Sequence, residues 1–233
     1  MSEIITTRSE GDVFVISFDD GKANALSHAA ISALDAALTR AEEAGARAVL
    51  LAGRPGRFCA GFDLKVMQAG PQAARDLVGA GARMLLRLYM FGAPVVLACT
   101  GHAMAGGAVF LMAGDHVIGV DGEFKIGLNE VQIGMPLPIF AVELARNRLA
   151  PGHLNAATQL ARLYSPKEAV EAGYLHQVVP PDQLLEQSLG LATVLAGALS
   201  PSAFKGTRQR LRGAVAAHVQ ATLAEDLAGF SVG

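Results

Sequence analysis

Two segments rich in glycine and small residues could together hold a negatively charged oxygen. Residues 57–64 follow the apolar run Ala48–Ala52, and residues 101–108 follow the apolar run Val95–Cys99. We expect each run to be a buried strand and each segment to open a helix. The first N–H groups of a helix lack internal partners and lie at its positive end, so two helix starts on adjacent strands would favour an oxyanion. Either segment taken alone is more simply explained as an ordinary strand-to-helix turn.

A third segment, residues 126–134, carries Glu130 as a lone carboxylate among apolar residues. One interpretation is a glutamate in the first turn of a helix, where the helix dipole stabilises its charge. The other is a buried carboxyl whose pKa is raised by loss of hydration, which would make it a useful base near neutral pH. The residues alone leave both interpretations open.

These segments need a framework of alternating strands and helices. We predict strands at residues 13–18, 48–52, 95–99 and 116–120, helices at residues 29–44, 71–89, 106–112 and 138–149, and later helices that begin at the capping box of Ser165 and after Pro201. This order predicts one α/β domain with a helical C-terminal portion.

A small cluster of basic residues lies near the C-terminus, at Lys205, Arg208, Arg210 and Arg212. Such a cluster is typical of a solvated helix face, and a contact with phosphate is the alternative.

Composition excludes several classes of protein. Hydrophobic residues make up 52% of the 233 residues and charged residues 17%, which excludes an intrinsically disordered chain and favours an oligomer with apolar surface between subunits. The net charge of −2 provides no basic field for nucleic acid, so we expect no nucleic-acid partner. Cys59 and Cys99 are too few for a disulfide framework and are expected to be small core residues. The cysteines and histidines show no zinc-site spacing, and we expect no metal.

The uncharged stretch at residues 88–114 is long enough to cross a bilayer, but Pro94 and several glycines interrupt it. A membrane span with so many breakers would leave backbone groups unpaired in lipid, so we expect strand, turn and helix in a buried core. Residues 1–10 contain no apolar signal core. We therefore expect a cytoplasmic protein with no membrane partner.

Three motifs together resemble the crotonase (enoyl-CoA hydratase/isomerase) superfamily. FCAGFDL, GHAMAGGAVFLMAGD and SPKEAVEAGYLHQVVP match that superfamily in order, spacing and strand context, over roughly residues 10–190. The resemblance implies an α/β fold that is a crotonase spiral of ββα units with a helical C-terminal region. It divides the chain into a spiral core at residues 1–195 and a helical trimerisation segment at residues 196–233. It also implies a homotrimer or a dimer of trimers.

The same resemblance implies which residues bind the substrate. An acyl-coenzyme A thioester would be the substrate, with no separate cofactor, and the backbone N–H groups of Phe62 and Gly106 would form the oxyanion hole around its carbonyl oxygen. The residues implied to line the coenzyme A side are Lys22, Ala23, Ala25, Ala60, Gly61, Asp63 and Leu64.

The residues around the site bear on which reaction is catalysed. Hydratases of this superfamily use two glutamates, but the position three residues after Gly106 is Val109, so only Glu130 remains. A site with one base suits a proton shift that moves a 3-enoyl double bond to the 2-position, with Asn129 and Val109 lining the substrate site. IGLNEVQIG and LLRLY likewise resemble mitochondrial-type enoyl-CoA isomerases of fatty-acid oxidation.

Two alternatives to an isomerase stay open. One is an enoyl-CoA hydratase that recruits another acid, for which His102 is the nearby candidate, although its place in the turn favours a structural role. The other is a non-catalytic acyl-CoA-binding protein.

Overall fold

Strands and helices alternate along the chain in the computed structural model, which describes residues 3–230. The strands are β1 (Ile5–Glu10), β2 (Val13–Phe18), β3 (Ala25–Leu26), β4 (Ala48–Ala52), β5 (Gly56–Cys59), β6 (Gly61–Phe62), β7 (Val95–Cys99), β8 (Gly101–Met104), β9 (His116–Val120), β10 (Ile126–Gly127) and β11 (Gln177–Val179). The helices are α1 (His28–Glu43), α2 (Leu64–Met67), α3 (Pro71–Tyr89), α4 (Gly106–Ala113), α5 (Ile139–Arg148), α6 (Pro151–Thr158), α7 (Pro166–Ala172), α8 (Leu184–Ala198) and α9 (Pro201–Ala228). A 3-10 turn spans Val131–Ile133.

The predicted elements are present, with small shifts at their ends. Helix α1 begins at His28 because the Ser27 side chain accepts the Ala30 N–H at 3.2 Å and caps the helix. The predicted capping box before α7 is confirmed, since the Ser165 and Glu168 side chains each accept a backbone N–H of the other. The order β2-β3-α1, β4-β5-β6-α2, β7-β8-α4 and β9-β10-α5 follows the predicted repeat of strands and a helix.

The main sheet has the order β1-β2-β4-β7-β9-β11 and is covered on both faces. Only the β1–β2 pair is antiparallel. In β4, Val49 and Leu51 face the larger core, whereas Leu50 belongs to a second core that packs against α8. Burial on both faces is the reason that β4 and β7 are uninterrupted apolar runs, as predicted.

A second sheet, in the order β10-β8-β5, brings the three chemistry-bearing segments together. Its strands are parallel, and Ala103 of β8 lies beside both Cys59 of β5 and Ile126 of β10. The chain therefore leaves neighbouring strands at the same edge of the sheet and reaches Phe62, Gly106 and Glu130 within a few residues.

The last helix, α9, packs on the rest of the fold through buried arginines. Arg208 is 5% exposed and bonds to the Asp115 carboxylate and the Phe91 carbonyl, and Arg212 contacts Asp115 at 2.9 Å and the Tyr89 carbonyl at 2.8 Å. These carbonyls lie at the C-terminal end of α3, where the helix dipole favours a cation. The predicted solvated face is therefore wrong for Arg208 and Arg212, because their guanidinium groups bind protein oxygens.

The predicted division at residues 195 and 196 falls inside α8 (Leu184–Ala198). Helix α9 also contributes Ala216, Val219 and Leu227 to the larger core. The outer ends of the two predicted ranges, residues 1–2 and 231–233, lie outside the described residues. The trimerisation role of residues 196–233 stays a prediction.

Candidate active site

A cavity of about 550 Å³ lies at the edge of the second sheet, between the first turn of α4, the segment around Phe62 and the N-terminal turn of α5. Its walls are mostly apolar. The predicted site residues that line it are Ala60, Phe62, Leu64, Gly106, Val109, Asn129 and Glu130. Among its lining residues in the described part of the chain, Glu130 is the single residue with an ionisable side chain.

The Gly106 amide opens toward this cavity because of the conformation of the residue before it. Ala105 has φ 51° and ψ −124°, a region that residues other than glycine rarely adopt. Its carbonyl accepts the N–H groups of Ala108 at 2.8 Å and Val109 at 3.1 Å, so that carbonyl is directed into α4. In a trans peptide the N–H is opposed to the C=O, so the Gly106 N–H is directed out of the helix start.

We predicted that the Phe62 amide lies at a helix start, but it belongs to a strand. Phe62 ends β6, Asp63 follows as the N-cap, and α2 begins only at Leu64. The Asp63 N–H donates to the Leu26 carbonyl of β3 at 3.3 Å, and because successive peptide groups of a strand alternate in direction, the Phe62 N–H faces away from β3. The prediction was wrong here because the β3–β6 pairing extends the segment before the helix can start.

Close approach of the backbones fixes the two amides next to each other. A Cβ atom on Gly61 would lie 3.0 Å from the Ala105 Cβ and 3.2 Å from the Gly106 nitrogen, and Gly61 has φ +92°. A Cβ atom on Gly107 would lie 2.1 Å from the Cys59 carbonyl oxygen. Gly61 is therefore required for its backbone conformation and for space, and Gly107 is required for space alone.

Glu130 is held beside these amides in an apolar wall. It is 8% exposed, and its Oε2 atom is buried with no hydrogen-bond partner in residues 3–230. Burial raises the pKa of its carboxyl from 4.5 to about 7, against the opposing effect of the Glu130 and Asn129 backbone amides. The residue precedes the 3-10 turn, and its carbonyl accepts the N–H groups of Ile133 and Met135 at 3.0 Å each. The structure thus favours the interpretation as a buried carboxyl over that as a charge stabilised by a helix dipole.

Five predicted contacts lie outside the residues that line the cavity. Ala23 and Ala25 instead pair with the segment that leads to Phe62: the Ala23 carbonyl accepts the Ala60 N–H at 3.2 Å, and Ala25 pairs with Gly61. The Lys22 carbonyl accepts from Arg54 Nη1 at 2.6 Å. Gly61 abuts the α4 start as described above, and the Asp63 side chain caps α2 by accepting the Lys65 N–H at 2.9 Å.

His102 has a structural position, as predicted. Its Nδ1 accepts the Lys125 N–H at 3.0 Å, and its ring meets the Phe124 ring edge-to-face with centroids 5.3 Å apart. It is not among the residues that line the cavity.

Several residues of the cavity wall were missed in the sequence. They come from four places in the chain: Met67, Gln68 and Val78; Met104 and Ala105; Ile133, Met135, Pro138, Phe140 and Ala141; and Phe230. The residues at 133–141 follow directly after Glu130, so proximity along the chain could have suggested them. No sequence signal indicated Phe230, which reaches the cavity only because α9 folds back on α3 and α5.

Within the described residues, no helix combines the length and apolar character required to cross a bilayer. The same part of the chain holds no cluster of three or more histidine, cysteine or acidic side chains suited to a metal ion.

Comparison with known proteins places this geometry in a family. Residues 8–231 match the family model described as enoyl-CoA hydratase/isomerase. A putative enoyl-CoA hydratase of Thermus thermophilus is 33% identical over 87% of this chain and 81% of its own length. The human mitochondrial enoyl-CoA delta isomerase 1 is 31% identical over 94% of this chain and 73% of its own length. The crystal structure of an enoyl-CoA hydratase/isomerase family protein from Pseudomonas syringae superposes with a TM-score of 0.94 at 35% identity, covering 97% of each chain. The chain therefore belongs to the enoyl-CoA hydratase/isomerase family of the crotonase superfamily.

Proposed function

We propose that this enzyme is an enoyl-CoA isomerase that converts 3-enoyl-CoA into 2-enoyl-CoA by a one-base proton shift. The observation that carries the proposal is Glu130, the single carboxyl among the described residues that line the cavity, beside the Phe62 and Gly106 amides. An acyl-CoA thioester is the substrate, and the reaction needs no separate cofactor, because one base and two hydrogen-bond donors are sufficient for it.

The Glu130 carboxylate removes a proton from C2 of the substrate, and the electron pair of that C–H bond forms a dienolate. Its negative charge collects on the thioester oxygen, which accepts hydrogen bonds from the Phe62 and Gly106 N–H groups. The carboxyl of Glu130 then returns the proton to C4, and the double bond comes to lie between C2 and C3. A pKa of about 7 suits this role, since the group must both accept and release a proton near neutral pH.

Val109 supports isomerisation over hydration. Its side chain lines the cavity at the position where the resemblance places the first of the two glutamates of hydratases, and valine can neither accept nor donate a proton. Hydration needs one group to activate water and another to handle the proton at the α-carbon. Asn129, whose Oδ1 atom is buried and unpartnered in the described structure, borders the substrate next to the base.

The apolar wall of the cavity supports an orientation for the substrate. The acyl chain lies along the apolar wall formed by Val78, Phe140, Ala141 and Phe230. The coenzyme A portion leaves past Ala60 and Leu64, toward the surface near Asp63 and Lys22. A trimeric or hexameric assembly, a cytoplasmic location and a role in fatty-acid oxidation belong to the same proposal.

The test is turnover of 3-hexenoyl-CoA by the wild type and by Glu130→Gln, which keeps the shape of the side chain and removes the base. We expect conjugated 2-hexenoyl-CoA from the wild type and a loss of kcat on the order of 10³-fold in the variant. Glu123→Gln, the same change at an exposed residue, is the matched control and should keep wild-type turnover.

Two outcomes would contradict the isomerase. Water addition to crotonyl-CoA at a rate comparable with isomerisation would favour a hydratase, the activity for which the Thermus thermophilus relative is named. Binding of both thioesters without turnover of either would indicate that the protein is a non-catalytic acyl-CoA-binding protein.

A further inference from the structure

We propose that Gly81, in the middle of α3, is a positioning residue for the oxyanion hole, because its missing side chain provides the space for the Phe62 ring. The proposal rests on the function proposed above for the Phe62 amide. Gly81 is not among the residues that line the cavity, so it would act only through Phe62.

The contact on the α3 side leaves no room for a side chain at position 81. A Cβ atom on Gly81 would lie 2.3 Å from Cε1 and 2.8 Å from Cζ of Phe62. Separations this short cannot persist, so either the ring or the helix would have to move. Rotation of the ring about its Cβ–Cγ bond moves Cε1 but leaves Cζ in place, so this rotation cannot relieve the 2.8 Å contact as rotation of a terminal bond can for a leucine side chain.

The opposite edge of the same ring is also confined. A Cβ atom on Gly106 would lie 3.1 Å from Cε2 and 3.2 Å from Cδ2 of Phe62. The ring therefore lies in a notch between one glycine of α3 and the first residue of α4. A ring pushed away from Gly81 moves toward Gly106, which carries the other amide of the proposed oxyanion hole.

A displaced ring would also move the main chain of Phe62. The strand β6 consists of two residues and is held by its pairing with β3, which is equally short. Such a short ladder resists displacement weakly, so we expect the Phe62 amide to follow the ring. Glycine in a helix interior is unfavourable relative to alanine, and the need to accommodate this ring explains its presence at position 81.

Gly79 provides a matched control in the same helix. A Cβ atom there would lie 2.9 Å from Cδ1 of Leu227, which is the end of a flexible side chain, and 3.5 Å from Nη1 of Arg83. Gly79→Ala thus makes the same chemical change two residues away without touching Phe62.

The experiment compares the wild type, G81A, G79A, F62L and the double variant F62L/G81A. Leucine lacks Cε1 and Cζ, the two atoms that meet position 81. For each protein we would measure kcat and KM with 3-hexenoyl-CoA, and the enolate absorbance of bound acetoacetyl-CoA, which reports stabilisation of an oxyanion without any turnover. Circular dichroism melts verify that each variant is folded.

We expect G81A to lower kcat on the order of 10²-fold, the effect of misplacing a catalytic group by about 1 Å, while KM changes far less. The enolate absorbance should fall with kcat, and G79A should match the wild type in both. In the F62L background the same G81A change should have little further effect, because the clash has been removed.

The proposal is overturned if a folded G81A retains wild-type kcat and enolate absorbance, or if G81A is as damaging in the F62L background as in the wild type. Absence of the enolate in the wild type would overturn the oxyanion hole and this inference with it. If the wild type stabilises the enolate, loses it in G81A and yet does not isomerise 3-hexenoyl-CoA, the positioning role stands and the isomerase proposal fails.

Discussion

The buried carboxyl of Glu130 should make the stability of the protein depend on pH in a way that Glu130→Gln removes. Its pKa is about 7 in the folded protein, compared with 4.5 for a hydrated glutamate. Between these two values the folded state holds a proton at this site that the unfolded state has already lost. The free energy of unfolding therefore falls as pH rises through this window.

The magnitude follows from the two pKa values. Each tenfold change in a protonation equilibrium corresponds to about 1.4 kcal/mol, so raising the pKa from 4.5 to about 7 destabilises the protein by between about 3 and 4 kcal/mol once the group is ionised. This destabilisation is absent below pH 4.5 and complete only above pH 7. Glutamine does not ionise, so Glu130→Gln should gain between about 2 and 3 kcal/mol relative to the wild type on going from pH 5 to pH 8.

The assay is urea unfolding of both proteins at pH 5 and at pH 8. The difference between variant and wild type matters, because every other ionisable group is common to both proteins and its contribution cancels. Glu123→Gln controls for the loss of an exposed carboxyl. A difference between Glu130→Gln and the wild type that is the same at both pH values would refute the claim that the folded state raises this pKa.

Further predictions follow from the site. The value of kcat/KM for 3-hexenoyl-CoA should rise about tenfold per pH unit below pH 7 and level off above it, since only the carboxylate of Glu130 can accept the proton; a flat profile from pH 5 to 8 contradicts this. Val109→Glu places a second carboxyl in the cavity wall and should raise hydration of crotonyl-CoA relative to isomerisation; an unchanged product ratio in a folded variant would count against the role given to Val109. Phe230→Ala should enlarge the apolar end of the cavity and shift kcat/KM toward 3-decenoyl-CoA over 3-hexenoyl-CoA, on the order of tenfold. An unaltered chain-length preference would show that Phe230 does not contact the acyl group.

Much of the fold could be predicted because the local patterns are strong. The run Ala48–Ala52 is apolar on both faces, and the structure buries it on both faces. Ser165 and Gly173 mark the two ends of α7 by side-chain capping and a left-handed backbone, both of which are local effects. The convergence of Phe62 and Gly106 was also predictable, because parallel strands bring their carboxyl ends to one edge. Glu130 was placed with them only by the family resemblance.

Long-range packing accounts for what the sequence did not reveal. Phe230 lines the cavity from just beyond α9, a helix that returns to the core, and nothing near it in the chain indicates a binding role. Arg208 belongs to a basic cluster that is typical of a solvated helix face. It is nevertheless buried, because Asp115 and the Phe91 carbonyl at the end of α3 bind its charge. The strand at Phe62 was missed because it forms by pairing with β3, which lies far away in the sequence.

The one-base proton shift is tested most directly by following the proton itself. The wild type would convert 3-hexenoyl-CoA carrying two deuterium atoms at C2, and the position of deuterium in the 2-hexenoyl-CoA product would be read by NMR and mass spectrometry. The account predicts deuterium at C4, carried there by the Glu130 carboxyl, and no conversion by Glu130→Gln. Product whose new C4 hydrogen comes entirely from solvent, or full conversion by Glu130→Gln, would contradict it.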